Sequence, residues 1–376
     1  MTSLAYSPAP TLPDAAAPVR THVRNGIGFI VLDRPQALNA LSLPMIQAMQ
    51  KAIDAWRERA DVHAVVVSPS AAAFCAGADV RYLHELSRRG DVRGCHRYFK
   101  EEYSLDHAIF TYPKPCIALM AGVVMGGGMG LAQGARRTGG LRVVTGTTQM
   151  AMPETRIGFF PDVGAAWFLS RTPGALGRYL AVTGTTIGPG DALHAGLADI
   201  YMDDADRPSL LARLERETLR DGNAVVACIR EAARPHCLPT PVADTQPWID
   251  HHFRHDSVAR IMASLASEMR PGAREWAAAT LAVMRQRSPL SMAVALEVLV
   301  RPPSSMADSL RRDFVLALNS FADGDAVEGV RARLIDKDNR PAWRIADSED
   351  VRTADVARLF ASPWSAGDHP LRHLAD

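Results

Sequence analysis

The first continuous apolar run is Ile27–Leu32 (IGFIVL), closed by Asp33-Arg34-Pro35, and it predicts a buried strand. Ser42 is placed to cap a helix with Pro44 in its first turn. Met45, Met49, Ile53 and Trp56 then recur at spacings of 4, 4 and 3, which puts them on one helical face. Ala64–Ser68 (AVVVS) reads as a second, fully buried strand, Cys116–Met120 as a third, and Met150–Met152 as the end of a fourth. Strands alternating with helices to about residue 205 predict an α/β layer arrangement. From Pro208 the strand signals fade. A charged helical run covers Leu214–Arg220, a loop is expected around Pro235–Pro247, and Ser288-Pro289 opens a further helix. Leu310, Phe314, Leu318 and Phe321 draw another apolar stripe at helical spacing. The division expected is a disordered tail over 1–18, an α/β core over 19–205 and a mostly helical C-terminal region over 206–376.

A chain of 376 residues, 47% hydrophobic and 22% charged, can bury a large core. Forty-two Lys and Arg against 41 Asp and Glu leave a net charge of +1, which argues against nucleic acid as a partner. The five cysteines, Cys75, Cys95, Cys116, Cys228 and Cys237, are scattered and contain no CxxC. That is the usage of a reduced compartment, without a disulfide framework or a cysteine-based zinc site. The N-terminal segment lacks a basic stretch followed by an apolar one, and Asp14 interrupts any Arg-rich, acid-free pattern, so the cytoplasm is the expected location. Pro115–Ala135 is uncharged over 21 residues, the length of a membrane span, but its six glycines oppose a long helix. No membrane association is expected.

Four segments carry candidate chemistry. Gly122–Gly130 lacks the Gly-Lys-Ser/Thr of a phosphate loop and the register of a dinucleotide fingerprint. It serves either close helix–strand packing or the baring of backbone N–H groups at a helix start, where they face a developing oxyanion. Phe74–Asp79 (FCAGAD) follows a buried strand, so Ala78 can offer a second amide, or the segment is plain turn chemistry. Glu154 and Asp162 stand eight apart, each after a proline, in apolar surroundings that raise a carboxyl pKa. The alternative is Glu154 paired with Arg156 and Asp162 capping the next helix. On a helix through Cys95–Phe110, Glu102 falls inside the apolar arc and Glu101 outside it, with Asp106 one turn further on the same face. A buried carboxylate there needs an Arg or Lys, or a ligand hydroxyl. His251, His252 and His255 have no HExxH and no nearby Cys and read as a solvated segment, so no metal is expected. A GxSxG elbow is also missing, which leaves hydrolytic chemistry to carboxylates.

In this order and spacing the segments resemble the enoyl-CoA hydratase/isomerase (crotonase) superfamily, beginning with IGFIVLDRPQALNAL at Ile27–Leu41. Within it the branch most alike is that of the 3-hydroxyisobutyryl-CoA hydrolases, through EEYSLD at Glu101–Asp106, VMGGGMGL at Val124–Leu131 and AMPETRIGFFPDVG at Ala151–Gly164. EGVRARLIDKDNRPAW at Glu328–Trp343 is a further hydrolase-type mark, and the likeness covers roughly residues 24 to 345. It implies a spiral of ββα units with a helical C-terminal region, and an acyl-CoA ligand with no cofactor beyond the CoA of the substrate. The oxyanion donors map onto the amides of Ala78 and Gly127, and CoA contacts onto Ala37, Leu38, Ala76 and Ala78. Catalysis maps onto Glu154 and Asp162, and substrate contacts onto Glu102, Gly127, Glu154 and Asp162.

The implied reaction is hydrolysis of 3-hydroxyisobutyryl-CoA in valine breakdown. Isomerase or hydratase activity, or acyl-CoA binding without catalysis, are the alternatives, and a homo-oligomer is compatible with the likeness. The second catalytic Glu of the hydratases would fall at position 130, which is Gly here. Two stretches depart from the hydrolases: Ala135–Leu141 is about four residues longer, and Ala165–Phe168 (AAWF) replaces a glycine-richer stretch.

Overall fold

The computed structural model describes residues 17–235 and 237–376. The tail expected over 1–18 therefore lies outside the described residues as far as position 16. Strand β1 (Val19–Arg24) pairs antiparallel with β2 (Ile27–Leu32) through the turn Asn25-Gly26, both residues at positive φ (49° and 75°). Asn-Gly is the pair that a two-residue hairpin turn favours. The sequence reading missed β1 because most of its residues are exposed and give no apolar run.

Strands β3 (Ala64–Pro69), β4 (Cys116–Met120), β6 (Leu141–Val144) and β8 (Ile200–Tyr201) extend the sheet in parallel, in the order β1-β2-β3-β4-β6-β8. A second small parallel sheet joins β5 (Val123–Met125) to β7 (Gln149–Ala151). β3, β4 and β6 are buried along their whole length, which explains the apolar runs of β3 and β4, while the buried Arg142 in β6 is paired with Asp199 at 2.8 Å. Their alternate residues feed two cores. Val65, Val67, Ala118 and Met120 face one, while Val66, Ile117, Leu119 and Val143 face the other with Leu210, Leu214, Val225 and Ile229.

The helix α1 (Leu43–Arg57) buries Met45, Met49, Ile53 and Trp56, the face its spacing predicts. α2 (Val80–Arg88) starts on Asp79, whose carboxylate accepts the Tyr82 amide at 3.2 Å. α3 (Val92–Phe110) packs against α1, and α4 (Gly127–Gln133) begins in the glycine turn. Pro115–Ala135 is thus strand, strand and short helix; no helix among the described residues is long and apolar enough to cross a membrane.

Beyond Asp204 the regular elements are helices. The expected loop at Pro235–Pro247 is in part wrong, since the helix Pro241–His252 contains Pro247. Pro247 is exposed, so the carbonyl it leaves without a donor can be hydrated. Ser288 caps the helix Pro289–Val300 by accepting the Ser291 amide at 3.0 Å, and Leu310, Phe314 and Phe321 are buried in the helix Met306–Asp323. The longer stretch Ala135–Leu141 leads into β6 and contributes nothing to the cavity described next.

Candidate active site

Two loops meet at the C-terminal ends of β3 and β5. The segment Cys75–Ala78 is tied on one side to Val124 and on the other to Leu41, by single parallel bridges. Asn39 Nδ2 donates to the Ala73 carbonyl at 2.7 Å, and Tyr98 Oη donates to the Leu41 carbonyl at 2.6 Å while accepting the Asp79 amide at 3.1 Å. Arg34 closes onto Asp79 at 2.8 Å. These bonds fix where the Ala78 amide points.

Facing it, Gly126 (φ 49°, ψ −121°) turns the chain so that α4 opens with Gly127. A Cβ on Gly127 would stand 3.4 Å from the Ala78 nitrogen and 2.7 Å from Glu102 Oε1, and one on Gly126 would stand 2.8 Å from Glu154 Oε1. Two amides and two carboxylates therefore converge on a turn with no room for a side chain. Neither amide donates to another described residue. The turn packs closely, with Gly128 against Cys75, and it leaves both N–H groups without a protein acceptor.

A cavity of about 600 Å³ opens here, and its wall includes Ala76, Ala78, Gly127, Glu154 and Asp162. Glu102 is outside the wall, buried directly behind Gly127. Ala37 and Leu38 are also outside it, on the neighbouring loop, where the Leu38 carbonyl accepts the Ala76 amide at 2.9 Å.

The electrostatics are those of carboxylates without cations. Both oxygens of Glu102 and of Asp106, and Oε2 of Glu154, are buried without a hydrogen-bond partner. Burial, with Asp162 nearby, pushes Glu154 well above the ordinary carboxylate range; burial, then Asp162 and Asp106, does the same to Glu102. Asp162 is raised to about 7 by burial, against the Tyr103 hydroxyl, which donates to its Oδ2 at 2.6 Å. Asp313, whose Oδ2 accepts the Gly164 amide at 2.9 Å, is raised to about 8, again by burial first. Glu154 has no pairing with Arg156, and the Asp162 side chain goes to Tyr103 instead of capping the helix Ala165–Leu169.

The sequence reading missed three contributors. Tyr103 stood in the motif beside Glu102, and Asp313 stood on the buried arc of Leu310 and Phe314, an acid in an apolar stripe. Tyr98 gave no signal. The His251–His255 reading also needs correction: His252 is buried, hydrogen-bonded to Ser264 and Glu268, while Arg270 clamps Glu268. His251, His252 and Glu268 bring donor atoms within 4.8 Å of one another, but the protein already uses those of His252 and Glu268.

A largely parallel sheet followed by a helical C-terminal half thus places an amide pair beside buried carboxylates at one cavity. The chain belongs to the enoyl-CoA hydratase/isomerase family, whose sequence profile matches residues 27–360. More particularly, it is 34% identical over 353 residues to the mitochondrial 3-hydroxyisobutyryl-CoA hydrolase of Gallus gallus, spanning 92% of this chain and 89% of that one. It is 33% identical to the small ribosomal subunit protein mS47 of Arabidopsis thaliana, over 90% of this chain and 83% of that one. In three dimensions it is similar to the crystal structure of an enoyl-CoA hydratase from Rhodobacter sphaeroides, with TM-score 0.82 and 37% identity over 92% of this chain and 98% of that chain.

Proposed function

We propose that this protein hydrolyses a short-chain 3-hydroxyacyl-CoA thioester, and that its substrate is 3-hydroxyisobutyryl-CoA, released as 3-hydroxyisobutyrate and CoA in valine breakdown. The observation that carries this reading is Glu154, buried with its Oε2 unpartnered, beside two free amides and Asp162. The Ala78 and Gly127 amides bind the thioester oxygen as it gains charge. Glu154, once ionised, either attacks the carbonyl carbon, expelling the CoA thiolate and leaving an acyl anhydride that water then hydrolyses to the free acid and Glu154, or takes a proton from the water that attacks the carbonyl carbon as the CoA thiolate leaves. Asp162, steadied by Tyr103, handles the proton that passes to the leaving group.

Hydration of a double bond fits less well. Position 130 is Gly, and a Cβ there would meet Val163 Cβ at 2.7 Å and Asp106 Oδ1 at 2.8 Å, so the place of a second carboxylate is filled. The five free cysteines suit the cytoplasm, the location we propose, whereas the Gallus gallus relative is named mitochondrial.

The deciding experiment is thiol release from a panel of acyl-CoAs, run beside loss of enoyl absorbance from crotonyl-CoA on the same preparation. Release from the 3-hydroxy ester should exceed hydration well beyond error. Faster hydration of crotonyl-CoA makes the protein a hydratase, and CoA binding without turnover of any ester makes it a non-catalytic binder. Turnover should survive exhaustive chelation, because every group assigned a step is a carboxylate, a hydroxyl or an amide. Activity lost to chelation and restored by one divalent ion would contradict that.

A further inference from the structure

We propose that Arg156, Arg287 and Arg333 form an anion subsite at the rim of the catalytic cavity and that it holds a phosphate group of the CoA arm; the choice of CoA rests on the function proposed above. The three come from separate places in the chain. Arg156 lies on the turn Glu154–Ile157, Arg287 stands just before the helix Pro289–Val300, and Arg333 lies in the turn Arg331–Ile335. All three line the cavity that holds Ala78, Gly127 and Glu154.

Among the described residues none of the three makes an ion pair, although all three line one cavity. Arg331, two residues from Arg333, closes onto Glu328, Asp336 and Asp338 and so uses the neighbouring acids. Arg287 is half-buried and held by its Nε donating to the Thr183 carbonyl at 2.8 Å. Arg333 donates from Nη1 to Asn339 Oδ1 at 2.8 Å, while its Nε is buried without an acceptor. Arg156 is exposed and has no side-chain hydrogen bond. The three guanidinium groups sense one another: burial and then the charges of Arg156 and Arg333 push Arg287 down to about 10, and burial and then Arg156 lower Arg333.

A net charge of +1 shows that this concentration of positive charge is local. Like charges gathered in a partly desolvated rim repel until an anion joins them. Guanidinium forks match phosphate oxygens in geometry as well as charge. The other acidic groups at the cavity, Glu154 and Asp162 in its wall and Glu102 behind Gly127, offer an anion no cation. A ligand anionic at one end and neutral at its thioester is thereby oriented with the reacting carbonyl toward Ala78 and Gly127.

The test compares wild type with Arg156→Ala, Arg333→Ala and the double variant, on a CoA ester and on the pantetheine ester of the same acyl group, which lacks the phosphates. The double variant should lose at least tenfold in kcat/KM on the CoA ester, chiefly through KM. The preference for the CoA ester over the pantetheine ester should shrink by the same factor. Arg156→Lys should recover part of it. An equal loss on both esters overturns the proposal and assigns the arginines to the acyl group or to the fold.

Calorimetric binding of free CoA and of pantetheine separates this outcome from the fate of the hydrolase reading. Wild type should bind CoA more tightly, and the double variant should close the gap. If no ester is turned over while that gap opens and closes as stated, the subsite stands and the hydrolase reading falls. A gap unchanged in the double variant removes the subsite whatever the turnover. Arg156 makes no side-chain hydrogen bond, so its truncation leaves no polar contact unmade and tests the subsite without endangering the fold.

Discussion

At the residue scale the site depends on keeping carboxylates where they resist ionisation. In the proposed reaction Glu154 must lose its proton to act, and burial with Asp162 beside it delays that loss to higher pH than for an ordinary Glu. The rate should therefore rise with pH along an acid limb above the usual carboxylate range. Asp162→Asn removes the neighbouring negative charge, so it should move that limb to lower pH while lowering the maximum rate. A limb that stays in place in a kcat/KM profile would mean that another group controls it. Glu154→Gln keeps the size and loses the charge, and should cost about 4 kcal/mol or more of barrier, several orders of magnitude in thiol release.

Glu102 has two unpaired oxygens behind Gly127. A substrate hydroxyl that reaches one of them gains an acceptor, and a substrate without the hydroxyl leaves it unpaired. Glu102→Gln should thus shrink the preference for 3-hydroxyisobutyryl-CoA over isobutyryl-CoA. An unchanged ratio gives Glu102 a purely structural role.

At the scale of elements, the glycine turn and α4 set what chemistry the site can add. Side chains from α3 and from the segment before the helix Ala165–Leu169 fill the space beside Gly130, as Asp106 and Val163 show. Gly130→Glu should therefore overpack the site, with a loss of about 1–3 kcal/mol in stability, and bring no crotonyl-CoA hydration. Urea unfolding measures the first and enoyl absorbance the second. A stable variant that hydrates would show that α3 yields to a larger residue. The same helices explain why Glu102 and Asp106 lack cations: the buried face of α3 meets α1, α4 and the helix Met306–Asp323, and it brings Tyr103 to Asp162 but no lysine or arginine to either acid.

For the whole molecule, the buried acids leave a mark on stability. Asp162 and Asp313 titrate near 3.8 when free, and at about 7 and about 8 in the fold. The folded state therefore holds more protons than the unfolded chain across that interval, and stability falls as pH rises. Their contribution is complete below the free value and is lost as pH climbs through about 7 to 8. Thermal midpoints between about pH 5 and pH 9 should decline, and Asp313→Asn should flatten the decline because the amide oxygen can still accept the Gly164 N–H. A midpoint that rises over this range would place the charged forms in the fold.

The strands β2, β3 and β4 and the buried face of α1 were legible in the sequence because a long apolar run or a helical period needs no partner to be recognised. The motifs around Ala78, Gly127 and Glu154 were legible for a related reason: each is local, a turn or a short stretch of chain whose residue types limit what it can do. Tertiary structure decided the rest. β1 shows little apolar pattern and exists through its hairpin with β2. Asp313 lies 149 positions from Gly164, and only folding brings the two together. Whether Glu154 would pair with Arg156 was open in sequence, where the two stand two positions apart. The fold leaves Glu154 Oε2 buried without a partner and Arg156 exposed beside Arg287 and Arg333, because a turn residue takes its partners from whatever packs over it.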